Sequence, residues 1–168
     1  MSISMHSISV PFYASMLSNL GHVLKKAEAW AAERKIDPAV LLNDRLAPDM
    51  LSLRWQVMLA TDHAKGAIAR LAGVEIPSYP DVEESFDELQ ARLARTREFI
   101  ESLPEADFAG AEDKTITLKI GGQEMSFPGL RYFQGFSVPN FYFHMTSAYA
   151  ILRHNGVPLG KGDFFGRG

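Results

Sequence analysis

Asn140 and His144 stand four residues apart in the segment "NFYFHMTSAYAILRHNGV", which runs from Asn140 to Val157. Four residues is about one helical turn, so both side chains share a face. Two histidines at this spacing are a common way for a helix to present metal ligands. Here one of the two is Asn, whose carbonyl oxygen is a poor ligand for zinc or nickel. The same face continues through Ser147, Ala148 and Ile151, which makes His144 a polar group among apolar neighbours. It is either a buried histidine satisfied by one hydrogen bond or a member of a site. His154 falls in the last turn of the same helix, where a cation is favoured, and a capping role is expected for it.

Asp62 lies in "MLATDHAKGA", a mostly apolar stretch. A carboxylate that faces a helical core must be paired, protonated or bound to metal. Lys65 is one turn away and offers a surface ion pair. The alternative sets Asp62 opposite His144, as a metal ligand or as the group that fixes the imidazole tautomer. His63 is adjacent but turned by about 100° on a helix, so it is expected off that face. His22 is a further candidate from the first helix. His6 is expected in a loose N-terminal segment without a role. Tyr13, Trp55 and Tyr142 supply aromatic surface for a pocket in which Asn140 orients a ligand.

Long helices must position these residues. In "FYASMLSNLGHVLKKAEAWAAERK", Tyr13, Met16, Leu17, Leu20, Leu24, Ala27 and Ala31 recur at intervals of three and four. That spacing gives one face of an amphipathic helix, with Pro11 in its first turn. A connector follows, with a short helical turn around Pro38 to Leu42. A second helix is expected from near Pro48 to a stop at Gly73, apolar over most of its circumference and therefore interior. The third spans "VEESFDELQARLARTREFIESL". Phe86, Leu89, Leu93, Thr96 or Arg97, and Ile100 form its buried stripe.

The period then changes to two in "TITLKIGGQEMSF". A two-residue turn at Gly121-Gly122 pairs Leu118 with Met125 and Ile116 with Phe127 in a hairpin. Pro139 opens the fourth helix, and Asn155-Gly156 closes it. The glycine-rich "VPLGKGDFFGRG" is expected to be an extended tail pinned by Leu159, Phe164 and Phe165. The fold expected is all-α, a four-helix bundle with a small β-hairpin between helices three and four, in one domain over residues 1–168.

Composition narrows the function. The 168 residues carry a net charge of −3 with interspersed charges, which disfavours a general nucleic-acid binder. Cysteine is absent, so disulfides, thiolate nucleophiles and cysteine-ligated metal are excluded. The opening "MSISMHSISVPFYASML" has no Lys or Arg ahead of an apolar run, and no membrane span is expected. A cytoplasmic protein is therefore expected. No phosphate loop, dinucleotide fingerprint or serine–histidine–acid motif is present.

"HMTSAYAILRHNGVPLGK" resembles the last helix of the DinB/YfiT-like superfamily. With "LAPDMLSLRWQVMLATDHAKGAIARLAG" and "PNFYFHMTSAYAILRHNGVPLGKGDFF", the chain is similar over nearly its whole length to one family within it, domain of unknown function 1993. The resemblance implies a four-helix bundle, often a homodimer, with a divalent metal held by three histidines. Two of these come from helix four at i and i+4, and one from helix two. On this sequence they fall on Asn140, His144 and a position near Leu59, so one histidine of the three is in place. The thiol-dependent transferase activity of some members is not carried over. Two expectations follow. One is a small-molecule-binding protein with a degenerate or absent metal site. The other is an enzyme using zinc, nickel or iron around His144 and Asp62.

Overall fold

The computed structural model describes residues 3–167. It is mostly helical, with one two-stranded antiparallel sheet. The first helix, α1, spans Met5–Glu33. It starts well before Pro11 because Ser4 and Ser7 form a reciprocal cap, Ser4 Oγ accepting from the Ser7 amide at 3.2 Å. Pro11 therefore lies inside the helix rather than in its first turn. Both Pro11 and Ser7, whose carbonyl loses its i+4 partner, are exposed, so water can serve that carbonyl. His6 is part of this helix and meets Phe108 edge-on at 5.1 Å, so it is not in a loose segment. The expected stripe from Tyr13 to Ala31 is buried at every position.

A short α2, Pro38–Asn43, is capped by Asp37, whose carboxylate accepts from the Ala39 amide. The central helix, α3, spans Leu53–Ala72 and ends at Gly73 with φ of 78°. Its start is later than Pro48 because the chain turns first, with the Met50 amide on the Ala47 carbonyl. α4, Phe86–Ser102, opens on a second reciprocal cap between Ser85 and Glu88. α3 packs on α6, the later Val138–His154 helix, and on α4, while α1 packs mainly on α4. The core thus surrounds α3, which explains its apolar circumference.

A 3-10 turn at Glu105–Phe108 leads to the hairpin of β1, Thr115–Ile120, and β2, Gln123–Pro128. The register pairs Leu118 with Met125 and Ile116 with Phe127, as the alternation requires. Gly121 and Gly122 both take positive φ, which this tight turn needs. Ile116 and Leu118 are buried, whereas Met125 stays 44% exposed. The hairpin is thus held to the helices through β1.

The chain then crosses close to Ala111. A side chain at Gly129 would collide with the Ala111 carbonyl oxygen. α5, Gly129–Tyr132, continues through a π-helical turn at Phe133–Ser137 into α6. The amide of Val138 reaches back to the Phe133 carbonyl, five residues earlier. Pro139 has no amide hydrogen to offer this turn, and Asn140 Nδ2 donates to the Phe136 carbonyl at 2.7 Å. The tail forms a last short helix, α7, Lys161–Phe164, rather than remaining extended. Leu159 is buried, while Phe165 is 47% exposed. No helix among the described residues is long and apolar enough to cross a membrane.

Candidate functional site

His144 on α6 is half-buried, with Nδ1 2.8 Å from Gln56 Oε1. The Gln56 side chain is buried, and its Nε2 donates to the Leu51 carbonyl at 3.0 Å. That second bond fixes the amide so that its oxygen faces the imidazole. His144 therefore donates through Nδ1–H and keeps a lone pair on Nε2. Burial holds its pKa below the ordinary histidine value, which keeps the ring neutral near pH 7.

His63 lies two turns along α3 from Gln56, on the same side of the helix. Its ring is nearly parallel to that of His144, with centroids 5.3 Å apart and an interplanar angle of 18°. Its pKa is lowered to about 4, first by burial and then by the neighbouring His144, with Asp62 opposing and Arg70 adding to the shift. The structure thus joins His144 to His63, the residue expected off that face. The reason is α3's interior position, since a residue turned by about 100° on a central helix still meets a partner helix.

His63 also lines a cleft of about 390 Å³ between α3, β1 and the α5–α6 turn. Leu59, Leu118, Ile120 and Phe136 give it apolar walls, while Arg70, Lys119 and Tyr132 add polar groups. Arg70 Nη1 donates to Tyr132 Oη at 3.3 Å. The size suits a small ligand, and the mixture of apolar wall and few polar groups is typical of a binding site.

Asp62 reaches the edge of this cleft, but its carboxylate is engaged elsewhere. Oδ1 lies 2.6 Å from Lys65 Nζ and 2.9 Å from Arg92 Nη2. Arg92 is fully buried and also meets Glu83, Asp81, the Pro80 carbonyl and Thr61 Oγ1. The aromatic ring of Tyr79 covers the cluster, 3.8 Å from the Arg95 guanidinium and 4.4 Å from Lys65 Nζ. The expected Asp62–Lys65 pair is present. It is one side of a larger network that ties the 74–85 loop to α3 and α4. Asp62 does not fix the His144 tautomer; Gln56 holds that place.

The other expected residues are dispersed. Tyr13 is buried, with its hydroxyl 2.7 Å from Ser137 Oγ, and burial pushes the phenol pKa up. Asn140 spends its amide on the Phe136 carbonyl. Trp55 is half-buried against the core, and Tyr142 lies in an apolar groove with Leu46, Met50 and Phe143. His22 faces Asp163 at 3.4 Å, not His144. His154 is exposed in the last turn of α6.

The donor set can be compared with a metal centre. A catalytic zinc takes three protein ligands from His, Asp, Glu or Cys. Among the described residues, no three such side chains are grouped to hold one ion. His63 and His144 supply two imidazoles, and Leu59 supplies no donor. These residues do not fit a three-ligand site.

The family model described as "Domain of unknown function (DUF1993)" matches residues 5–165. The chain belongs to the DUF1993 family. A solved structure similar to this DUF1993 chain is a DinB family member protein from Shewanella denitrificans. It is 40% identical, with a TM-score of 0.89, and the match covers 96% of this chain and 91% of that one. No curated protein matches.

Gln56 and Arg92 carried signals of different strength. Arg92 sits between Leu89 and Leu93 on the buried stripe of α4, and the acidic "DVEE" precedes that helix. A buried arginine with nearby acids could have been inferred. Gln56 is recognisable only once α3 and α6 are docked.

Proposed function

We propose that this DUF1993 protein is a DinB-type four-helix bundle that binds a small molecule, with a degenerate metal site. The ligand occupies the cleft between α3 and the hairpin. The observation that supports this most is the convergence of His63, Arg70 and Tyr132 on a space with apolar walls. Arg70 and Lys119 favour a ligand with an acceptor or anionic group, and Phe136, Leu59 and Ile120 suit its apolar body. His63 offers a neutral imidazole, backed by His144 and its fixed tautomer.

The competing reading is a divalent-metal enzyme centred on His144 and Asp62. The lone pair of His144 Nε2 supports it, while the commitment of Asp62 to Lys65 and Arg92 weighs against it. For assembly, a homodimer through the apolar groove beside Phe143, itself 57% exposed, is the matching proposal. Sedimentation of wild type and Phe143→Glu tests it.

The binding reading is tested by thermal shift against a panel of small aromatic and aliphatic carboxylates and amides. A compound that raises the melting temperature of wild type should do so less in Arg70→Gln and in His63→Ala. Equal shifts in all three proteins would remove the cleft as the binding place.

A further inference from the structure

A second cleft, of about 330 Å³, lies between α1 and α4, on elements that contribute nothing to the hairpin cleft. Gly21 makes it. A Cβ there would come within 3.0 Å of Gln90 Oε1, and Gln90 Nε2 donates to the Gly21 carbonyl at 2.8 Å. The missing side chain lets the two helices approach, and the groove opens beside that contact. Leu17 and Leu93 give it an apolar floor.

The charged lining is all basic: His22 and Lys25 from α1 and Arg97 from α4, with no carboxylate among the lining residues. Two of these carry buried nitrogens without a hydrogen-bond partner among the described residues, His22 Nε2 and Arg97 Nε. Arg97 Nε is an obligatory donor, so burying it unpaired is unfavourable unless a ligand, ion or water accepts from it. His22 Nε2 faces Asp163 Oδ1 at 3.4 Å without a hydrogen bond. A carboxylate facing that nitrogen favours the tautomer with a proton on Nε2, directed at Asp163 rather than into the groove.

The nearby acids are already occupied. Asp163 is held by Lys26 at 2.6 Å and by the Gly160 amide at 2.7 Å, and Glu101 meets Arg97 through Nη2 at 3.6 Å, leaving Nε unpaired. Lys25 has no ion-pair partner among the described residues. We infer that this groove binds the phosphate group of a small molecule, held by Arg97 and Lys25, with the apolar part of the ligand on Leu17 and Leu93. An ammonium and a guanidinium with no lining acid suit a doubly charged phosphate better than a singly charged carboxylate.

Calorimetric titration of the full chain with inorganic phosphate, at ionic strength held constant with sodium chloride, tests the site. Saturable one-site binding is expected, with acetate weaker. Arg97→Gln and Lys25→Gln should each weaken phosphate about tenfold, the loss of one charge-assisted hydrogen bond. Arg70→Gln, in the hairpin cleft, should bind phosphate as wild type does, which separates this site from the other. Lys25 is exposed, so its variant reports binding without a change in folding, and circular dichroism checks Arg97→Gln. Absence of saturable binding, wild-type affinity in both groove variants, or loss only in Arg70→Gln would overturn the proposal.

Discussion

Asp62 and His63 are consecutive on α3, yet they belong to regions with opposite electrostatic solutions. On the α4 side, Asp62 enters a network in which Asp62, Asp81 and Glu83 meet Lys65, Arg92 and Arg95. Charge is balanced there three against three, with Arg92, Glu83 and Lys65 buried. On the α6 side, His63 and His144 lie together with no carboxylate between them, and burial keeps both neutral. The first region has its strong donors and acceptors committed to one another. The second keeps a free imidazole lone pair beside a cleft. Saturated charge marks structure, and uncommitted polar groups at a cleft mark a candidate site.

The comparison breaks most visibly at Arg92. Arg92→Met should destabilise the fold by about 3–5 kcal/mol in denaturant unfolding, because it leaves Glu83 buried without its main counter-charge. Asp62→Asn is the control. Asp62 is one-third exposed at 33%, and Arg92 retains Asp81 and Glu83, so a loss of only about 1 kcal/mol is expected. Equal effects would mean that Asp62 carries more of the network than its exposure allows.

The histidine side predicts a pH dependence. His63 has a folded pKa of about 4 against an ordinary value of 6.5. Between those values the unfolded chain binds a proton that the folded chain excludes, so stability rises with pH. The contribution is complete above pH 6.5 and is lost as the pH falls towards 4, with His144 acting in the same direction. His63→Ala should flatten the unfolding midpoint over this interval. An unchanged slope would assign it to other groups.

Gln56→Leu should destabilise the fold by about 1–3 kcal/mol, because it leaves His144 Nδ1–H without an acceptor. Nitrogen NMR of the imidazole should then show loss of the single Nδ1–H tautomer. Retention of that tautomer would show that another group fixes it.

Much of this arrangement was legible in the sequence where local rules decide it. The stripe from Tyr13 to Ala31, the stop at Gly73 and the hairpin register at Gly121-Gly122 follow from periodicity and turn chemistry. The early start of α1 depends on the Ser4–Ser7 cap, which outweighs Pro11 as a starting signal. The π-helical turn before α6 has no compositional mark beyond Pro139. At the site, His144 was identifiable as a polar residue on a buried face, but its partners were not. Gln56 and His63 reach it through the docking of α3 on α6, and a count of residues along one helix carries no information about that. The same limit holds in part for Asp62: its pairing with Lys65 was legible one turn along α3, but its second partner, Arg92, is thirty residues away on α4.

The most direct measurement is elemental analysis of tag-free protein, wild type beside His144→Ala. An account built on two neutral imidazoles without a third ligand predicts clearly sub-stoichiometric zinc, nickel and iron in both. Near-stoichiometric metal in wild type that disappears in His144→Ala would contradict it and establish a metal centre at this pair.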